Sequence, residues 1–217
     1  MRRFFLFDKF NTWHDWRLTL TAKDTSDPEP KTNYVTIEGM SGTLDLTEAL
    51  TGGVAYNDRT VMASFWSSEG TYQEREAVVK QITASLHGKK VKIIEPDDPD
   101  HYFLGRCMVR NLGRSQVHVA LDIEAICDPW RYAVNETNRS VTIKNGTTSV
   151  VIVNNGVKTL SPTITVVGDV TLTYEGSTVE LAEGAYKVAG IKLRQGPNVI
   201  DVSGSGTVTF TYREAGL

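Results

Sequence analysis

Four histidines are the side chains of this chain best suited to moving protons near neutral pH. They are His14, His87, His101 and His118. His87 follows a predicted helix, where a cation complements the helix dipole, and His118 lies opposite the apolar positions of an alternating strand. Spacing assigns no acidic or nucleophilic partner to His14 or His101. The histidines therefore predict surface or structural roles rather than catalysis.

A serine between glycines raises the question of acyl transfer. The segment Gly39-Met40-Ser41-Gly42 reads Gly-x-Ser-Gly, whereas a nucleophile elbow needs Gly-x-Ser-x-Gly between a strand and a helix. No helical pattern follows the segment, so we interpret it as a turn. The acidic pair Asp45 and Glu48 could cleave a glycosidic bond only at a defined carboxyl separation, which sequence spacing does not provide. We expect no enzymatic activity.

Metal and cofactor motifs are weak as well. Cys107 and Cys127 lack the spacing of a zinc site, and each lies in an apolar segment, which predicts buried thiols. The four carboxylates between Glu95 and Asp100 lack the spacing of an EF-hand, and two prolines among them indicate a solvated acidic loop. No glycine motif for binding phosphates precedes a helix. We therefore predict neither a metal nor a cofactor.

Charge and hydropathy argue against nucleic-acid-binding proteins and against exported or membrane proteins. A net charge of −3 provides no basic field for phosphates, so we expect no direct nucleic-acid recognition. Asp8 and Lys9 interrupt the apolar start of the chain before a signal-peptide core can form, and no run approaches the roughly 18 apolar residues of a membrane span. We expect no export signal and no membrane insertion.

The first part of the chain must position these side chains mainly on strands. Alternation from Trp13 to Leu20 predicts a strand, and residues 23–33 combine charges with two prolines, which predicts an exposed loop. A capping box and apolar residues at every fourth position predict one helix over Thr71–Leu86, ended by Gly88. Two extended segments between Tyr102 and Ile126 predict a hairpin.

The second part changes to short strands without a helical period. Turn signals recur at intervals of about ten residues, the pattern typical of a β-sandwich. The predicted strands cover Val141–Lys144, Ser149–Val153, Thr163–Val167, Thr171–Tyr174, Thr178–Leu181, Tyr186–Leu193, Asn198–Val202 and Thr207–Tyr212.

Several short motifs in the first part occur in an informative order. They are Asn11-Thr12-Trp13, Gly42-Thr43-Leu44-Asp45-Leu46-Thr47-Glu48-Ala49, His87-Gly88-Lys89-Lys90, Gly105-Arg106 and Cys127-Asp128-Pro129-Trp130. Their order and spacing over residues 1–132 resemble the N-terminal domain of the distal tail (Dit) proteins of siphophages. Residues 133–217 are similar to that family only in their pattern of short strands.

The resemblance implies a mainly β fold. It implies an N-terminal β-sandwich or barrel-like domain with one α-helix in residues 1–132, and a galectin-like all-β sandwich in residues 133–217. It further implies a structural virion protein, encoded by a siphophage or prophage, whose homohexameric ring forms the baseplate hub.

The same resemblance implies partners and a location. The ring would join the tail tube protein to the tail-tip machinery for host adsorption, through a tail-associated or tail fibre protein. The protein would be made in the bacterial host cytoplasm and would lie at the virion tail tip.

The predicted loop at residues 23–33 is the candidate oligomer contact. It is polar and stiffened by proline, so it can reach a neighbour at a lower ordering cost than a glycine-rich loop. Asp27, Glu29 and Lys31 are its candidate interface charges.

A carbohydrate-binding module for host recognition is the alternative function. Such a module needs exposed aromatic rings on which sugars can stack. The chain has four tryptophans, Trp13, Trp16, Trp66 and Trp130, and their apolar surroundings predict that they belong to the core instead.

Overall fold

The computed structural model describes residues 4–49 and 52–217 and divides the chain into two compact units. The first unit runs to Arg131, and the second covers Tyr132–Gly216, so the divide lies beside the boundary predicted near residue 133. Each unit has its own cluster of buried apolar side chains.

The first unit is an antiparallel sheet with one helix packed against it. Its elements are β1 (Leu6–Phe7), β2 (Phe10–Asn11), β3 (Thr19–Thr25), β4 (Tyr34–Val35), β5 (Leu44–Asp45), β6 (Arg59–Ser67), α1 (Tyr72–Leu86), β7 (Lys90–Glu95), β8 (Asp98–Arg114) and β9 (Val119–Cys127). The sheet has the order β2-β1-β7-β8-β9-β6-β3, while β4 and β5 pair only with each other. Within the described residues, no helix is long and apolar enough to span a membrane.

Helix α1 forms where local signals predict it. The Glu74 N–H donates to Thr71 Oγ1 at 3.3 Å, and the Thr71 N–H donates to the Glu74 carboxylate at 2.7 Å, which completes the predicted capping box. The buried positions of the helix are Arg75, Val79, Ile82 and Leu86. The predicted stripe consists of Val78, Ile82 and Leu86. Val78 is only partly buried, so the buried face of the helix is turned slightly from that stripe.

The first long strand begins later than the alternation over Trp13–Leu20 predicts. Asn11 Oδ1 accepts the backbone N–H groups two and three residues ahead, at 3.0 and 2.9 Å. This side-chain capping holds the chain in turns, so the strand prediction was wrong there. The strand covers Thr19–Thr25 instead and includes the start of the predicted 23–33 loop.

The acidic segment at the end of β7 forms a turn, as its two prolines predict, but this turn is shorter than the predicted solvated loop. Only residues 96–97 form the turn, and Asp98 pairs with Glu95 as the first residue of β8. The Asp98 carboxylate lies 2.8 Å from His101 Nδ1 and 3.2 Å from Arg131 Nη1. These two bonds hold the carboxylate within the fold.

The rest of the chain adds seven strands. They are β10 (Arg131–Ala133), β11 (Thr137–Asn154), β12 (Thr163–Tyr174), β13 (Ser177–Leu181), β14 (Gly184–Tyr186), β15 (Gly196–Tyr212) and β16 (Ala215–Gly216). The main sheet of the second unit has the order β11-β15-β12-β13, and β14 also pairs with β12. Strand β11 therefore lies at an edge of this sheet.

Three predicted turns lie inside long strands of this sheet. Strands β11, β12 and β15 each join two predicted short strands into one. Gly168, Gly204 and Gly206 have positive φ, and a Cβ on any of them would lie 2.2–2.5 Å from a backbone oxygen of the neighbouring strand. The glycine signals therefore mark bends shared by adjacent strands.

One face of the sheet supplies the core on both sides of these bends. In β15, Val202 and Val208 are both buried. In β11, a bulge between Lys144 and Thr147 moves the buried positions from odd numbers, such as Ile143, to even numbers, such as Val150. The extra residue keeps both halves of β11 facing the same core.

The predicted strand Tyr186–Leu193 is wrong over most of its length. Strand β14 ends at Tyr186, and the Ile191 N–H donates to Val188 O at 3.1 Å, which closes a turn. Only Leu193 forms an isolated bridge, with Leu160.

Candidate subunit-contact arm

Residues 26–58, which we call the arm, lie between β3 and β6, and their described parts pair as a ribbon whose two legs are residues 26–31 and 55–58. At its base the Ser26 N–H donates to Thr60 O at 2.9 Å, and farther along the Lys31 N–H donates to Ala55 O at 2.8 Å. The pair β4 and β5 closes its outer part. Backbone pairing therefore gives the arm a defined shape.

The arm exposes large apolar side chains. They are Tyr34, Val35, Ile37, Met40, Leu44 and Val54, each between 37% and 58% exposed. None of the described arm residues belongs to either core cluster. A group of exposed apolar side chains of this kind is typical of a contact surface.

The arm is also acidic. Its sequence carries six carboxylates and one lysine. The candidate interface residues Asp27, Glu29 and Lys31 are all exposed. The Glu29 carbonyl accepts the Asn57 N–H at 2.8 Å, so these residues lie on one leg of the ribbon rather than on a free loop. Their side chains are thus presented from a fixed backbone.

Ion pairs and a hydrogen bond fix the strand that leads into the arm. Lys23 Nζ lies 2.8 Å from Asp97 Oδ2 and 3.7 Å from Glu95 Oε1. Thr25 Oγ1 donates to the same Glu95 oxygen at 2.7 Å. These contacts join the end of β3 to the β7–β8 turn.

Arg59 is a buried cation at the base of the arm, where it begins strand β6. Its guanidinium carbon lies 5.1 Å from the centroid of the Phe103 ring. Among the described residues, its Nε and Nη2 have no hydrogen-bond partner. Burial lowers the pKa of Arg59, and Arg131 lowers it further. The charges of Asp27 and other nearby acidic groups oppose this shift. The charge of Asp27 therefore favours the charged form of Arg59, which lies at the base of the arm.

Turns at the outer end of the arm use the residues first considered for catalysis. Gly39 and Gly42 have φ of 85° and 82°, and Ser41 between them is exposed in a turn. The Asp45 carboxylate accepts the Thr47 N–H at 2.9 Å, and hydrogen bonds from Thr47 lower the pKa of Asp45. Turn geometry therefore accounts for the positions of Ser41 and of the Asp45 carboxylate.

The histidines also bond within the fold. His87 Nδ1 accepts the Val109 N–H at 3.2 Å. His118 Nδ1 lies 3.0 Å from Ser115 Oγ, which also accepts two backbone N–H groups of the same turn. His14 packs edge-on against a phenylalanine, with ring centroids 5.9 Å apart. A serine oxygen that accepts turn hydrogen bonds suits structure better than nucleophilic attack.

Three of the sequence motifs meet in the first unit. Lys90 pairs in register with Arg106, and Gly105 pairs with Cys127. Lys90 Nζ lies 2.8 Å from Asp128 Oδ1, and Arg106 Nη1 donates at 2.5 Å to a carbonyl of the loop after α1. A cavity of about 420 Å³ lies among these residues. The side chains of Lys90, Arg106 and Asp128 that line it are engaged with the fold itself.

Both cysteines are free and buried, as the sequence predicts. Burial raises the pKa of Cys107 to about 12, with a further contribution from Asp8. Burial also raises the pKa of Cys127 to about 12. Because thiolates are the reactive form, these thiols are inert near neutral pH. Among the described residues, no group of histidine, cysteine and acidic side chains has a geometry that could hold a metal.

The tryptophans differ from the prediction that all four belong to the core. Trp16 is 1% exposed, but Trp66 is 41% exposed. Its ring stacks on His118 with centroids 6.3 Å apart. Trp66 lies at an outward position of a strand, where alternation alternately buries and exposes side chains.

Comparison with known proteins gives a match in structure and none in sequence. No protein-family model and no curated protein matches the chain. The fold is similar to the crystal structure of SPP1 Dit (gp 19.1), described as a paradigm of the hub adsorption apparatus in Gram-positive infecting phages. The similarity has a TM-score of 0.73 and 17% sequence identity and covers 100% of each chain. This likeness confirms the mainly β fold and the predicted resemblance in fold to Dit proteins.

Proposed function

We propose that this chain is a structural phage tail protein that forms a ring-shaped hub between the tail tube and the tail-tip adsorption machinery. The observation that carries this proposal is the full-length likeness in fold to a phage hub protein. The arm supports it independently, because an exposed apolar and acidic ribbon suits contact between subunits. The structural bonding of the histidines and buried thiols favours a structural role over an enzymatic one.

Six copies would close the ring. In a ring, one surface of each copy contacts a different surface of the next copy. The arm extends beyond the sheet of the first unit and has its own backbone pairing, so it can reach a neighbour with little loss of conformational freedom. Asp27, Glu29 and Lys31 would contact that neighbour from one leg of the arm.

The hub would contact two other kinds of tail protein. One side of the ring would bind the tail tube protein, and the other would bind a tail-associated or tail fibre protein. The protein would lie at the virion tail tip after synthesis in the cytoplasm of the bacterial host.

A pair of matched variants tests the ring and the arm. Ile37→Ser with Leu44→Ser removes apolar side chains that are 44% and 40% exposed on the arm. Val157→Ser with Val167→Ser removes side chains that are 45% and 58% exposed in the second unit. Electron microscopy and native mass spectrometry should show hexameric rings for the wild type and the control, and folded protein without rings for the arm variant.

This experiment tests self-assembly and the role of the arm separately. A wild-type chain that stays monomeric at all concentrations would contradict self-assembly. Rings formed equally well by the arm variant would leave the hub standing but remove the arm from its interface. Neutralising Asp27, Glu29 and Lys31 together should weaken the rings and reduce their dependence on salt.

A carbohydrate-binding module remains the second candidate. The exposure of Trp66, with its ring stacked on His118, is the observation that favours it. Glycan-array binding that is lost in Trp66→Ala would support this function. Absence of glycan binding by the assembled protein would remove it.

A further inference from the structure

The sheet of the second unit has one long open edge. Strand β11 is 18 residues long and, in the part of the chain that the structure describes, pairs with one strand only, β15. An unpaired edge presents backbone N–H and C=O groups to other chains, and natural proteins usually protect such edges with charges, prolines or bulges.

Protection is uneven along β11. Its first half carries Arg139 and Lys144 and ends in the bulge between Lys144 and Thr147. From Thr147 to Val153 the sequence TTSVVIV contains no charge, proline or glycine, and six of its seven residues are β-branched. Such a segment favours extended pairing.

Apolar side chains adjoin this half of the edge. Val151 and Val153 are 48% and 44% exposed on β11, and Val199 of β15 is 55% exposed. Val151 and Val199 are direct cross-strand partners. A strand added to β11 would extend this apolar surface and cover part of it.

We propose that residues 147–153 pair antiparallel with the same segment of a second copy of this chain. The segment is uncharged, so two copies meet without repulsion. Antiparallel pairing about a twofold axis places the Lys144 residues at opposite ends of the new ladder. It also keeps the inward and outward positions of both strands on matching faces. This contact lies in the second unit and does not rest on the proposed ring.

Two lysine substitutions in the full chain test this contact. In Val151→Lys, the two new lysines would be diagonal neighbours across the ladder, with their Cβ atoms about 8 Å apart. In Val199→Lys, three strand spacings, or about 14 Å, would separate them. Both positions are exposed valines that face outward, so the control matches the test in chemistry.

Native mass spectrometry over a range of concentrations should show pairwise association of the wild type, as pairs of rings where rings form and as dimers where they do not. This association should fall about tenfold in Val151→Lys and stay near wild type in Val199→Lys. Backbone hydrogen exchange of residues 147–153 should slow with rising concentration in the wild type and not in Val151→Lys. Equal loss in both variants, or exchange that does not depend on concentration, would overturn the proposal.

Discussion

Arg75 shows how one buried side chain can connect distant backbone segments. It is 6% exposed on the inner face of α1. Its Nη1 donates to Gly70 O and its Nη2 donates to Gln116 O, both at 2.5 Å. One guanidinium thus links the segment before the helix to the β8–β9 turn, using carbonyl oxygens as acceptors.

We predict that Arg75→Met lowers the free energy of unfolding by about 2–3 kcal/mol, because the fold loses two hydrogen bonds from a charged donor that is itself buried. Arg110→Met is the matched control. Arg110 forms an exposed ion pair with Glu124 at 2.7 Å, and its loss should cost about 1 kcal/mol or less. Chemical denaturation of both variants measures the difference, and equal costs would contradict the role assigned to Arg75.

Local structure could be predicted from the sequence where residues close together in the chain make the whole interaction. The capping box of Thr71 and Glu74 is such a case, because both partners belong to one helical turn. The pair Asp98 and His101 has the same spacing of three residues, but it forms on a strand next to a turn. Its contact depends on where β8 begins, which spacing alone does not give.

The long strands of the second unit show the limit of turn signals. Glycines at 168, 204 and 206 correctly mark special backbone positions, yet the chain bends there without reversing. Positive φ serves turns and bends equally, so the residue type does not separate them. The pairing of Gly168 with Gly206 decides the outcome, and this contact is distant in sequence.

Gly206→Ala tests the shared bend. At this position φ is 157° and a Cβ would lie 2.2 Å from Val167 O, a backbone atom that cannot move without disturbing β12. We expect a loss of about 3 kcal/mol or more in the free energy of unfolding of the second unit.

Gly190→Ala provides the control for that substitution. Gly190 has open space around the Cβ position and lies outside the positive-φ set. This change should cost less than about 1 kcal/mol. A similar cost for the two variants in thermal denaturation would show that the bend tolerates a side chain.

The fold of the first unit could be predicted from the order of several motifs better than from any single motif. Gly105 and Cys127 belong to different motifs, yet a Cβ on Gly105 would lie 2.3 Å from Cys127 Sγ. Contacts of this kind explain why widely spaced motifs can indicate one fold. The ribbon form of the arm could not be predicted in the same way, because the 29–31 leg is ordered by residues 55–57.

The second unit should fold without the first. Its core cluster lies wholly between Ile143 and Tyr212. The Ala133 N–H donates to Glu214 O at 2.9 Å, which ties the start of the unit to its end, so a fragment should begin at Tyr132. At about 85 residues, such a fragment is large enough to bury its own core.

We predict that residues 132–217 alone give a β-type circular dichroism spectrum and a cooperative thermal transition. Phe210 is fully buried in this core, so Phe210→Ala should remove about 3–5 kcal/mol and abolish the transition or shift it far down. Val167→Ser, at an outward position that is 58% exposed, should leave the transition nearly unchanged. An unfolded spectrum for the wild-type fragment would mean that this core needs the rest of the chain in order to form.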